Sequence, residues 1–265
     1  MRNAPSRPPC PDGHASSLDW LSYFTLNTLE PALPWKDACR LSPGERAAVA
    51  RSIQQFQLGE NSEGRGLLRR AREYATRRGD AHFPEAVALF IQEEQRHSRM
   101  LGRFLELNSI PCLGRHWVDS VFRRIRALAG LELCMRVLAT AEVIAVPYYT
   151  ALGKATASPL LSAICTNILA DEAAHLAFQA FVFALLAQGR AGWRQQAVGA
   201  LHSLFLSGTA VVVWTQHASV LRAAHGTFRA FHAQCQEQFR AIVCPARARS
   251  SAVAQYSRIQ PTTPK

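Results

Sequence analysis

The chain has 265 residues, 48% of them hydrophobic, and a formal charge of +11 from 30 basic and 19 acidic residues. This is enough apolar material for a sizeable core, in one large domain or two small ones. No run of 18 apolar residues occurs, so no membrane span is expected, and "LFLSGTAVVVW" (204–214) reads better as a buried helix.

The first residues lack a hydrophobic signal core, and the seven cysteines are scattered without a CxxC pair. Together these point to a reducing, cytoplasmic setting. Lys36, Lys154 and Lys265 are the only lysines, so the charge is carried by arginine, densest in 65–78 and 122–126. The arginines fall at polar helix positions without interleaved aromatics. They read as solvated helix faces, and a nucleic-acid partner is not expected.

In chain order, residues 1–15 are rich in Pro and Ser and read as a disordered tail, as does the basic stretch 246–265. Residues 16–245 read as a single helical domain with no strand signal. "SLDWLSYFTLNTLE" is a short amphipathic lead-in helix. "LSPGERAAV" supplies Ser42 as N-cap, Pro43 at the first helical position and Glu45 to complete a capping box, opening a helix over 43–78 that stops at Gly79. A second helix runs from Pro84 to near Asn108. A connection over 108–130 carries its own short helix, Trp117 to Leu128. A third helix spans 131–154, and Ser158-Pro159 open a fourth that ends at Gly189. Further helices follow at 193–224 and from "TFRAFHAQCQEQFRAIV". Two tight hairpins separated by one long connection predict an all-α, ferritin-like four-helix bundle with an extra C-terminal helix.

Stepping by three and four residues traces the faces these helices bury. The second stripe is Phe83, Val87, Phe90, Glu94, His97, Leu101, Phe104. The fourth is Leu161, Ile164, Ile168, Glu172, His175, Gln179, Val182. Each holds a Glu and, three residues on, a His inside an apolar face. The adjacent carboxylates Glu93 and Asp171 fall off the stripes and are expected at the surface. The first helix turns Glu60 and Glu63 inward, and the third turns Glu142 inward.

Residues on antiparallel helices share a level when the turn lies midway between them. The midpoint of Glu142 and Glu172 is residue 157, in the second turn, and that of Glu63 and Glu94 falls between 78 and 79, in the first. Glu60 with Glu94 gives 77, slightly off the turn. Glu63 is therefore preferred as the first-helix ligand, with Glu60 as an alternative or additional one. Burying four carboxylates together is costly unless cations offset them. One Glu from each of two helices and Glu-x-x-His from each of two others is a ligand set for a pair of metals, and its oxygens and imidazoles suit Fe or Mn. With 13 Glu and nine His, chance gives about half an ExxH, so the weight lies in two of them at matched levels.

The motifs "EEQRH" (93–97) and "DEAAH" (171–175), with their upstream Glu partners, resemble the ferritin-like di-iron superfamily over residues 43–188. That superfamily includes rubrerythrins, ribonucleotide reductase small subunits and oxygenases of the p-aminobenzoate N-oxygenase type. The resemblance implies two Fe ions, or Mn or a mixed Mn/Fe pair. Glu94 and Glu172 would bridge them, Glu63 and Glu142 would be terminal ligands, and His97 and His175 would bind one metal each. It implies O2 and a small organic molecule as substrates of an oxidase or oxygenase. No CxxC-bearing segment offers an internal electron donor, so an external one is implied, and a homodimer is compatible with the pattern. Tyr148 and Tyr149 are candidates for a redox role beside Glu142, and His217 for a further ligand or a pocket residue. As single residues on apolar helices, all three read first as structural residues of the core. Cys134 and Cys165 read as small core residues. The alternatives to an oxidase are an iron-binding or ferroxidase protein without organic substrate, and a metal-free helical interaction protein.

Overall fold

The computed structural model of the protein describes residues 8–9, 15–37, 40–61, 64–128 and 130–243. The expected tails fall almost wholly outside these residues. The described elements are α1 (Ser17–Leu26), a 3-10 turn (Trp35–Asp37), α2 (Pro43–Glu60), α3 (Arg65–Arg78), α4 (His82–Leu107), α5 (Trp117–Leu128), α6 (Leu131–Lys154), α7 (Pro159–Ala187), α8 (Gly192–His225) and α9 (Phe228–Val243). Among the described residues there is no strand.

Local chemistry accounts for the helix ends. Ser42 and Glu45 form the expected capping box with Pro43 inside the first turn, and Ser16 with Asp19 forms a second one ahead of α1. Ser158 caps α7 by accepting from the Leu161 N–H, again with a proline at the start. Each cap is worth about 1 kcal/mol. Gly79 and Gly226 close α3 and α8 at positive φ (69° and 64°).

Side-chain pairs define how the helices run. Gln57 donates to Ser98, Arg46 reaches the Asn108 carbonyl, and Gly64 sits on Ile91, so α2 and the start of α3 run antiparallel to α4. Glu93 with His175 and Asp171 with His97 make α4 antiparallel to α7. Glu142 near His175 and Gly153 against Cys165 make α6 antiparallel to α7. It follows that α4 and α6 point the same way, and 108–130 must carry the chain back along the length of the bundle. α7 is apolar on nearly every side and lies at the centre, packed on α6, α4 and α9.

Three local features differ from the sequence reading. The helix expected over 43–78 is two helices. α2 stops at Glu60, and α3 starts beyond Gly64, whose φ is 63°. A Cβ there would come within 2.5 Å of Ile91 Cδ1, so the chain turns against α4 at a point only glycine can occupy without displacement. Residues 204–214 are buried on one face only. Leu206, Ala210 and Val213 are covered, while Leu204 is 71% and Val211 49% exposed. α8 also kinks at His217 (φ −124°, ψ 19°). Taken whole, α7 and α8 are each long and apolar enough to cross a membrane by length and composition, although most of α7 is enclosed within the protein.

Gly64→Ala is expected to lower stability by about 1–3 kcal/mol, since it adds both a positive-φ penalty and a clash with Ile91. Urea unfolding measures it, and a change below about 0.5 kcal/mol would contradict this account of the turn.

Candidate metal centre

Five of the six preferred sequence candidates converge between α4, α6 and α7, joined by the alternative Glu60 at the end of α2. Potential ligand atoms of Glu94, Glu142, Glu172 and His175 all lie within 4.8 Å of one another, and so do those of Glu60, Glu94 and His97. Glu94 belongs to both groups. Its Oε1 is 2.8 Å from His175 Nδ1 and 4.0 Å from His97 Nδ1. Glu172 also lies between the imidazoles, with Oε1 3.8 Å from His97 Nδ1 and Oε2 3.8 Å from His175 Nδ1. Glu142 Oε2 approaches His175 Nδ1 to 3.4 Å. Glu63 lies outside the described residues. Glu60 sits at the level of Glu94 because the hairpin register is centred near residue 77, as the Gln57–Ser98 pair also shows.

The carboxylates placed at the surface by the sequence reading are buried instead. Glu93 is 3% and Asp171 4% exposed. They make a reciprocal exchange between helices. His175 Nε2 lies 3.0 Å from Glu93 Oε2, and His97 Nε2 lies 3.1 Å from Asp171 Oδ2. Each of these carboxylates sits one place before a motif Glu and orients the histidine of the opposite helix. Arg96 joins the two halves, with Nη2 2.9 Å from Asp171 and 3.2 Å from Glu93, while Nη1 donates to the Asn27 carbonyl at 2.7 Å. The reading failed because it gave α4 one buried face, and α1 covers another. Trp20, Tyr23 and Phe24 of α1 are buried, and Phe24 lies edge-on to Phe90 and near the His175 ring. The signal in the sequence was the doubled carboxylate, Glu93-Glu94 and Asp171-Glu172, repeated in both motifs with an arginine inside one of them.

These hydrogen bonds fix the imidazoles. A carboxylate oxygen accepts, so each Nε2 is the donor, and each Nδ1 is turned inward toward the glutamates. His97 Nδ1, His175 Nδ1, Glu94 Oε1, Glu142 Oε2 and Glu172 Oε2 are all buried without a hydrogen-bond partner among the described residues. The short His175–Glu94 approach lacks hydrogen-bond alignment. Five unpaired ligand-type atoms pointing into one space are what a metal pair would satisfy, so the donor set fits the expected ions.

Charge leads to the same fit. Glu60, Glu93, Glu94, Glu142, Asp171 and Glu172 are gathered together, and Arg96 contacts two of them, Glu93 and Asp171. Burial and the neighbouring Glu94 push Glu60 well above its ordinary range, and burial and Glu142 do the same to Glu172. Burial also opposes charge on His175, but Glu94, Glu142 and Glu93 outweigh it and raise the ring well above its usual value. Burial would raise Asp171, yet the His97 hydrogen bond and the Arg96 charge hold it far below. Two divalent cations would bring the cluster near neutrality and remove the conflict.

The remaining candidates sit around this centre. Tyr149 donates to Glu60 Oε1 at 2.6 Å and so touches the donor cluster directly. Tyr148 stacks on Phe56 and is hydrogen-bonded to Ser52, away from the carboxylates. His217 shares that Ser52 hydroxyl at 2.8 Å and belongs to neither ligand group. Cys134 and Cys165 are buried, as expected of core residues. On the side away from Arg96, a cavity of about 430 Å³ reaches Glu60, Glu94, Glu142 and Glu172.

Metal-free protein is expected to lose thermal stability as pH rises above the ordinary carboxylate range. Glu60 and Glu172 have raised pKa values in the folded state, so their contribution is fully present below the ordinary carboxylate range and is lost as pH rises towards the folded values. The raised His175 acts in the same direction. Melting temperatures of chelated protein across this rise in pH check it, and Glu172→Gln is expected to flatten the decline. A melting temperature that rises with pH would contradict the charge conflict.

Comparison with protein-family models, curated proteins and solved structures finds no match in any of the three, so the site itself carries the functional reading.

Proposed function

We propose that the protein is a ferritin-like dinuclear metal protein, and specifically an oxidase or oxygenase that uses O2 on a small organic substrate with electrons from an external donor. The carrying observation is the pair of candidate ligand groups sharing Glu94, with inward-facing histidine nitrogens that no described residue satisfies. The helix directions support the fold part of this reading, since two antiparallel hairpins joined by a returning connection are the ferritin-like arrangement.

His175, Glu142 and Glu94 would hold one ion, and His97, Glu60 and Glu94 the other, with Glu172 placed between them. Iron in such a pair, or manganese with iron, supplies O2 activation and electron transfer. The chain's own residues prepare the site. Glu93 and Asp171 hold Nε2 of each imidazole and so direct Nδ1 inward, and Arg96 bridges the two carboxylates. α1 excludes water from that side, where Trp20 and Phe24 are fully buried. The hydroxyl of Tyr149 holds one oxygen of Glu60, leaving the other for a metal. The cavity favours an organic substrate over iron oxidation alone, because storage chemistry needs a path for ions rather than an apolar chamber of about 430 Å³.

Metal analysis of protein purified from its own host is expected to find two transition-metal ions per chain. Anaerobic loading with Fe(II) followed by air is expected to produce near-ultraviolet absorption. Glu94→Ala should abolish binding of both ions, and Asp171→Asn should weaken it about 10–100-fold through the loosened His97. Protein that holds no metal, and whose stability is unchanged or raised by Glu94→Ala, would leave the metal-free interaction protein as the better reading. Stoichiometric Fe(II) oxidation with no organic product would favour the ferroxidase.

A further inference from the structure

The cavity beside the carboxylates has a definite chemical character. Its walls are largely apolar, with Phe56, Phe90, Ile91, Leu138, Val212 and Val213 among them, and its floor is the set of glutamates. The charged groups that border it are already engaged. Arg123 is held by both oxygens of Asp119 (2.9 and 2.7 Å) and donates to the Asn61 carbonyl at 2.8 Å. Arg70 donates to the Gly66 carbonyl at 2.9 Å, and Arg65 also has a partner. The Thr209 hydroxyl is spent on the Phe205 carbonyl.

His217 is different. It lines the cavity at the kink of α8 and is only 5% exposed. Its Nδ1 lies 2.8 Å from Ser52 Oγ, which is in turn 2.9 Å from the Tyr148 hydroxyl. The ring stands edge-on to Phe56 and Tyr148, with centroids 5.0 and 5.6 Å away, so its orientation is fixed. Nε2, on the other side of the ring, has no hydrogen-bond partner among the described residues, yet it is not among the atoms sealed from solvent. Burial pushes the pKa down to about 4, so the ring is neutral at ordinary pH and offers one hydrogen-bonding atom without charge.

We propose that the cavity takes an uncharged, largely apolar small molecule with a single hydrogen-bonding group, and that His217 Nε2 anchors that group while the apolar remainder faces the carboxylate floor. The proposal rests on the oxidase reading in one respect, that the floor is where the ligand would react. An anion would meet four carboxylates and no unengaged guanidinium. A wholly apolar molecule would leave Nε2 unsatisfied.

Three probes of similar size test it on the full chain by calorimetric titration: phenol, toluene and benzoate. Each is titrated into protein as purified and again after chelation, with metal content measured alongside. Phenol is expected to bind about 5-fold or more tightly than toluene, in line with one buried hydrogen bond, and benzoate more weakly than both. His217→Phe should bring phenol down to the level of toluene while leaving toluene and metal content unchanged. His217→Leu repeats the test should the phenylalanine disrupt the fold, and His217→Gln should keep part of the preference. Equal binding of phenol and toluene, tighter binding of benzoate, or a phenol preference that survives both His217→Phe and His217→Leu would overturn the proposal. A preference seen only with metal present would also overturn it, since the oxygen would then be held by the metal and not by His217. If the protein as purified holds no metal and the preference is still seen, the oxidase reading is sunk while the anchoring role of His217 stands.

Discussion

The centre of this protein gathers six carboxylates, two histidines and one arginine where apolar side chains would ordinarily lie, and most of the surrounding architecture answers that charge. Isolated buried carboxylates cannot all ionise. Arg96 resolves part of the conflict by binding Glu93 and Asp171 together, at 3.2 and 2.9 Å. Those two then have a fixed job, each accepting from the histidine of the opposite helix. The exchange is reciprocal, so α4 and α7 cannot slide past one another without breaking both bonds. What Arg96 cannot reach is the inner set of Glu60, Glu94, Glu142 and Glu172, and that residue of unbalanced charge is the physical basis for proposing metal there.

The two sides of the cluster have opposite characters. On the Arg96 side α1 lies over the network, and the Asn27 carbonyl completes the arginine's hydrogen bonding. Removal of water there strengthens every ionic contact. The other side opens on the cavity, whose walls come from α2, α3, α4, α5, α6 and α8. Charge is therefore neutralised behind the histidines and left exposed in front of them. A molecule entering the cavity meets the inner glutamates at its far end and the neutral ring of His217 on its wall.

Helix breaks place these groups. α2 ends at Glu60, and Gly64 lets the chain turn against Ile91 before α3 resumes. That ending leaves Glu60 facing Glu94 and within reach of the Tyr149 hydroxyl. The kink in α8 sets His217 against Ser52 in the same way. Both are irregularities in otherwise regular helices, and both border the cavity.

The amino-acid sequence alone determined most of the helices and the inward carboxylates and histidines. Capping residues act within one turn, so Ser42 with Pro43 and Ser158 with Pro159 marked their helix starts correctly. The 3.6-residue period is also local, so it identified Glu94, His97, Glu142, Glu172 and His175 before any packing was known. Three matters depended on contacts between segments far apart in the chain. A helical period reveals one buried face, and only the packing of α1 on α4 buries the second, which is why the period puts Glu93 and Asp171 outside. The level of Glu60 was misjudged because a continuous first helix was assumed through a turn that depends on Ile91, 27 residues beyond Gly64. The position of His217 required α8 to fold back onto α2, since its partner Ser52 lies 165 residues away. Periodicity selects which residues are hidden, and tertiary packing alone decides what they are hidden against.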